Sequence, residues 1–147
     1  EMCIRDRRGD TGICVDLVKG HHNLGISSEN GYIVPLDCGA TGKTLLAAQS
    51  DELVERLIQN YPGLEEKLRN QVKEIRQRGY CISEGEVDEG VAAVAVPLPM
   101  PDHIYTLTYS GPVERLRGLD YMVLVHSLQQ AVKNILLKCD GKRKEAL

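Results

Sequence analysis

The sequence predicts an α+β domain built on an antiparallel sheet, and three observations carry that reading. Apolar residues recur at strand spacing near the start, at helical spacing through the middle, and at helical spacing again near the end. Two strand-like runs, VAAVAVPL and HIYTLTYS, are separated only by the turn-rich PMPD, the pattern of a hairpin. The resulting order of strands, helices, strands and a last helix is that of a segregated α+β domain.

The chain has 147 residues, enough for one domain with one core. Its 42% hydrophobic and 27% charged content is that of an ordinary globular protein. The longest apolar run, VAAVAV, is far too short to span a bilayer, and no secretory signal opens the chain. A cytoplasmic location is therefore expected. With a net charge of -3, and a basic cluster only at Lys142, Arg143 and Lys144, the chain offers no footprint for nucleic acid. Five cysteines, an odd count without a CxxC, suggest reduced core thiols and not a disulfide or zinc framework.

Taken in order, residues 1–7 (EMCIRDR) resemble a translated adapter scar and are set aside from the fold. The domain is then expected over residues 8–140, N-terminally truncated, with a basic, flexible tail at 141–147. Gly12–Lys19 alternates as a strand with Ile13, Val15 and Leu17 on one face. His22–Ser27 reads as a second short strand, and SENG as a turn. DCGATGKTLLAAQ leads into a helix crowded at its front by Gly39 and Gly42. Ser50 is placed to cap a helix carrying Leu53, Val54, Leu57 and Ile58. Leu64, Leu68, Val72 and Ile75 form the stripe of another, with Glu65–Arg69 and Glu74–Arg78 pairs on its wet face and Gly79 at its end. Tyr80–Ser83 reads as a strand entering the acidic loop EGEVDEG. A last helix from about Leu119 to Cys139 carries Leu124, Val125, Leu128, Val132 and Ile135 on one side, with Met122 and Val123 beyond that stripe.

With Pro99–Asp102 as the turn, Ala95 faces Thr106, Ala93 faces Thr108 and Val91 faces Ser110. One face thus carries small residues on one strand and hydroxyls on the next. A polar ligand would fill the space and satisfy the hydroxyls; a thin or helix-covered sheet face would read the same way. The glycine-bearing helix front has two readings as well. Helix N-termini suit anions, and close packing against a neighbour also needs small residues. DCGATGKT is not a nucleotide-hydrolase loop, since Asp37 stands where that pattern needs glycine.

The run GYIVPLDCGATGKTLLA, then RQRGYCISEGEVDEGVAAVAVPL, then YTLTYSGP, in that order and spacing, resembles the effector-binding domain of IclR-type bacterial transcription regulators, over roughly residues 9–139. The resemblance implies a GAF-like fold binding a small organic acid, with no cofactor. It implies assembly as a homodimer or homotetramer, and DNA contact only through a winged helix-turn-helix that this chain does not contain. It carries a pocket over by position. The backbone N–H groups of Ala40 and Thr41 would hold the ligand carboxylate. Ser83, Ala93, Thr108 and Ser110 would form the strand wall, and Asn23 and Ile26 an apolar lid. The position of Ser83 is often acidic in relatives and that of Ala93 can be Cys. The expected ligand is a small carboxylate with a further polar group, held by backbone donors without a buried Lys or Arg.

Two other classes compete with this reading: a GAF-like redox enzyme using Cys38 or Cys81, and a module that only oligomerises. Neither cysteine has an evident basic neighbour to lower its pKa. Adjacent His21 and His22 point to opposite faces of an extended chain and cannot easily chelate together; His103 and His126 have no ligand spacing to a partner. The EGEVDEG carboxylates read as a solvated loop placed to gate the pocket.

Overall fold

The computed structural model describes residues 1–21, 28–101 and 103–145. Six strands, β1 (Met2–Arg8), β2 (Thr11–Val18), β3 (Ile33–Pro35), β4 (Cys81–Glu84), β5 (Val91–Met100) and β6 (His103–Pro112), form one sheet in the order β3-β2-β1-β6-β5-β4. All neighbours are antiparallel. Five helices complete the chain: α1 (Gly39–Ala47), α2 (Asp51–Ile58), α3 (Glu65–Arg78), α4 (Val113–Gly118) and α5 (Tyr121–Glu145). The α+β class expected from the sequence is the one observed. Among the described residues no helix is long and apolar enough to cross a membrane.

The opening segment departs from the reading that set it aside. Met2–Arg8 is a central strand, paired with β2 on one side and β6 on the other. Arg5 and Asp6 are buried in the sheet alongside Cys3. Opposite it, β2 carries a bulge. Ile4 pairs with Asp16 and Arg5 with Cys14, so Val15 has no counterpart. The extra residue reverses the alternation. Cys14 turns inward and Val15 faces out, correcting the expected Ile13–Val15–Leu17 face.

The hairpin β5–β6 is tighter than expected. Met100 pairs with His103, Ala95 with Thr108, Ala93 with Ser110 and Val91 with Pro112, two residues on from the register read from the sequence. A shift of two preserves the parity of a strand, so the composition of each face is unchanged.

The helices form as their sequences require. Ser50 caps α2, its hydroxyl accepting from the Leu53 N–H at 3.3 Å. Leu68, Val72 and Ile75 bury the stripe of α3, which ends at Gly79. Arg69 does not pair with Glu65; it reaches across to Glu55 of α2 with two 2.8 Å contacts. The short α4 had no sequence signal strong enough to separate it from the end of β6. Helix α5 runs on to Glu145, through most of the stretch expected as a tail. Propagation of an existing helix adds one hydrogen bond per residue ordered.

Helices lie on both faces of the sheet. Helices α1, α2 and α3 bury Leu45, Leu46, Val54, Leu57, Ile58 and Leu68 against a face that includes Ala95 and Cys81. On the opposite face, Val125 and Leu128 of α5 pack on Val94, Val96 and Leu107.

Candidate functional site

The site grows from the entry to α1. Gly39 adopts φ 71, a left-handed conformation that turns the chain into the helix. Gly42 is there for proximity: a Cβ on it would lie 2.0 Å from the Pro35 carbonyl oxygen. Close packing therefore accounts for Gly42, and the helix is wedged against β3 with every residue buried. Its front opens onto a cavity of about 310 Å³ between α1, the sheet and the loop after β4.

The front of α1 donates to the protein's own oxygens. Gly39 N–H donates to Glu86 Oε2 at 2.8 Å, and Ala40 N–H to Ser83 Oγ at 2.8 Å. Glu86 also receives the Lys43 ammonium at 2.8 Å, an ion pair whose cationic side is almost fully buried. The acidic loop thus places one carboxylate on a helix N-terminus, where the dipole and a cation both favour negative charge.

Of the residues expected at the site, Ala40, Thr41, Ser83, Ala93 and Ser110 line this one cavity. Thr108 lies beside it, fully buried, its hydroxyl 3.1 Å from that of Thr41. Ser110 presents a buried hydroxyl with no hydrogen-bond partner. Asn23 and Ile26 fall outside the described residues, as does the short strand expected at His22–Ser27.

Four further residues shape the site and were not singled out from the sequence: Arg5, Tyr32, Lys43 and Glu86. Arg5 and Lys43 are each only 5% exposed, against the expectation that no Arg or Lys need be buried. Arg5 lines the cavity beside Tyr32, its guanidinium carbon 5.6 Å from the ring centroid. The signal for Arg5 lay in the segment set aside. Lys43 lies inside a motif read for its glycines and backbone donors and not for its ammonium.

The thiols near the cavity are held protonated. Burial pushes Cys38 up from its ordinary value, helped by Asp37 and Glu86, and pushes Cys81 up to about 11 despite nearby Lys43. All five cysteines are free. Among the described residues no group of three or more His, Cys, Asp or Glu is arranged to hold a metal ion.

The architecture is thus a sheet clad on both faces, with a cavity at the front of a glycine-led helix. Comparison with known proteins places it within one family. The bacterial transcriptional regulator IclR C-terminal family matches residues 2–137, and the chain belongs to that family. The "Probable transcriptional regulator SauR" of Cupriavidus necator is 33% identical over 99 residues, 61% of this chain and 39% of that protein. The IclR of Thermotoga maritima superposes with a TM-score of 0.82 at 21% identity, over 93% of this chain and 60% of that one. The inducer-binding domain of a double mutant of PobR from Acinetobacter, solved with 3-hydroxybenzoic acid, superposes with a TM-score of 0.76 at 22% identity, over 91% and 86%. The chain thus spans well under half the length of the SauR relative.

Proposed function

We propose that this chain is the ligand-sensing part of a transcription regulator. It would bind a small organic acid in the cavity at the front of α1, and binding would modulate DNA contact made by a segment outside these residues. The observation that carries the reading is the cavity itself: about 310 Å³, the scale of a small-molecule site, with a buried, unpartnered Ser110 hydroxyl in its wall. The PobR neighbour, solved with 3-hydroxybenzoic acid, supports an aromatic acid among the candidates. A role in binding and not in catalysis fits thiols whose pKa is raised, since a protonated thiol is a poor nucleophile. A cytoplasmic location goes with this reading.

The test is a thermal-shift screen of keto, hydroxy and aromatic acids, including pyruvate, lactate, benzoate and 3-hydroxybenzoate. At ~100 times its dissociation constant a true ligand stabilises the fold by roughly 2.7 kcal/mol. A screen in which no acid raises the melting temperature overturns the reading.

Assembly as a homodimer or homotetramer belongs to the same proposal. It is supported by apolar side chains that α5 leaves exposed, Val123 at 59% and Leu137 at 70%, with Met122 beside them. Sedimentation showing only monomer at high protein concentration would refute it.

A further inference from the structure

We infer that Arg5 is the charged anchor for the ligand's carboxylate, so that the cavity selects anions at the β1 wall and not at the front of α1. The inference rests on the proposed ligand-sensing role and specifies it. At the helix front, the Gly39 and Ala40 N–H donors are already satisfied by Glu86 and Ser83. An incoming carboxylate meets donors in use there, and the cation beside them, Lys43, is already paired with Glu86. At the other wall two buried charged groups stand without full hydrogen bonding, the Glu1 carboxylate opposite Ser110 and the Arg5 guanidinium. Arg5 is 95% buried by its 5% exposure, and its Nη1 is fully enclosed without a hydrogen-bond partner. Its Nε donates to the Cys3 thiol at 3.2 Å, a weak acceptor. No ion pair among the described residues includes Arg5.

A guanidinium cannot shed its charge, so an unpaired one in a cavity wall is costly until an anion arrives. Tyr32 lies against the guanidinium, and the Cys3 thiol accepts from its Nε. Ser110, on β6 beside β1 and paired with Ala93 of β5, adds an unpartnered hydroxyl to the same cavity. These groups together define a small monocarboxylate with a second polar substituent: the acid on Arg5, the substituent within reach of Ser110.

The experiment uses pyruvate, lactate and benzoate, each beside its neutral amide, with calorimetric affinity and melting temperature read on the wild-type chain, Arg5→Met and Arg5→Gln. At least one acid is expected to bind the wild type tenfold or more tightly than its amide. Both variants should lose that preference, while their unliganded melting temperatures stay level or rise, because the charge removed had no partner. An acid and its amide binding the wild type alike would overturn the inference, as would a variant that keeps the preference. A variant that fails to fold or melts several degrees lower would also overturn it, making Arg5 structural. If neither acids nor amides bind at all, the ligand-sensing reading fails first and the inference with it; if acids bind but ignore Arg5, only the inference fails.

Discussion

The two faces of the sheet are built to different rules. Toward α5 it presents Val94, Val96 and Leu107, with Ile4, Ile82 and Tyr109 around them, and closes on Val125 and Leu128. Toward α1 the alternate positions of the same strands present Ala93, Ala95, Thr106, Thr108 and Ser110, with Cys3 and Arg5 on β1. The first face is filled by volume. The second leaves a cavity and keeps buried polar atoms unpaired, among them Thr106 Oγ1, Ser110 Oγ and Arg5 Nη1. Both faces carry part of the apolar core, and the stability they supply together lets the α1 face keep these atoms unsatisfied.

Substitutions on each face should separate these roles. Leu128→Ala removes a fully buried side chain from the apolar face and should cost about 2–5 kcal/mol in urea unfolding, with ligand affinity unchanged. A matching loss of affinity would mean the faces are not independent. Ala93→Leu should do the opposite. It fills the cavity, abolishes the ligand-induced thermal shift, and costs about 1–3 kcal/mol of stability as overpacking. Undiminished binding in that variant would remove the hairpin from the site.

Thr108→Val probes the layer beneath the cavity. Its hydroxyl bonds to Thr41, so the unliganded fold should lose about 0.5–1.5 kcal/mol, and affinity should fall less than in Ala93→Leu. An unliganded fold of unchanged stability would show that the Thr41–Thr108 contact contributes nothing. The smallest effect lies at the edge of both faces. Hydrogen bonds from Arg117, and then from Tyr121, draw the Glu84 carboxyl down from 4.5 to about 2. A lowered folded pKa stabilises the fold fully above the unfolded value, and that contribution is lost as pH falls from about 4.5 through about 2. Glu84→Gln should flatten the acid limb of stability against pH over that window. Because the group is exposed, added salt should shrink the difference.

The sequence made the site face legible through parity alone. Small residues at Ala93 and Ala95 and hydroxyls at Thr106, Thr108 and Ser110 share a face under either register, so the two-residue slip did not disturb the argument. Three features escaped it. Strand β1 lies in the segment whose likeness to an adapter scar sets it aside, and its burial depends on β2 and β6, which local pattern cannot report. The bulge at Val15 is a property of a pairing and not of one strand. The role of Glu86 depends on a loop folding back 47 positions onto Gly39, which periodicity does not encode.

The stem of that loop has a mechanical consequence. Glu84 and Glu86 are two residues apart. One grips Arg117 of α4 and Tyr121 at the head of α5, on the far side of the sheet; the other grips Lys43 and the first N–H of α1. The short segment is therefore a crank with a handle on each side. By reciprocity, any ligand that shifted the Glu86 grip would be coupled to the clamp on the head of α5 by one and the same factor in both directions.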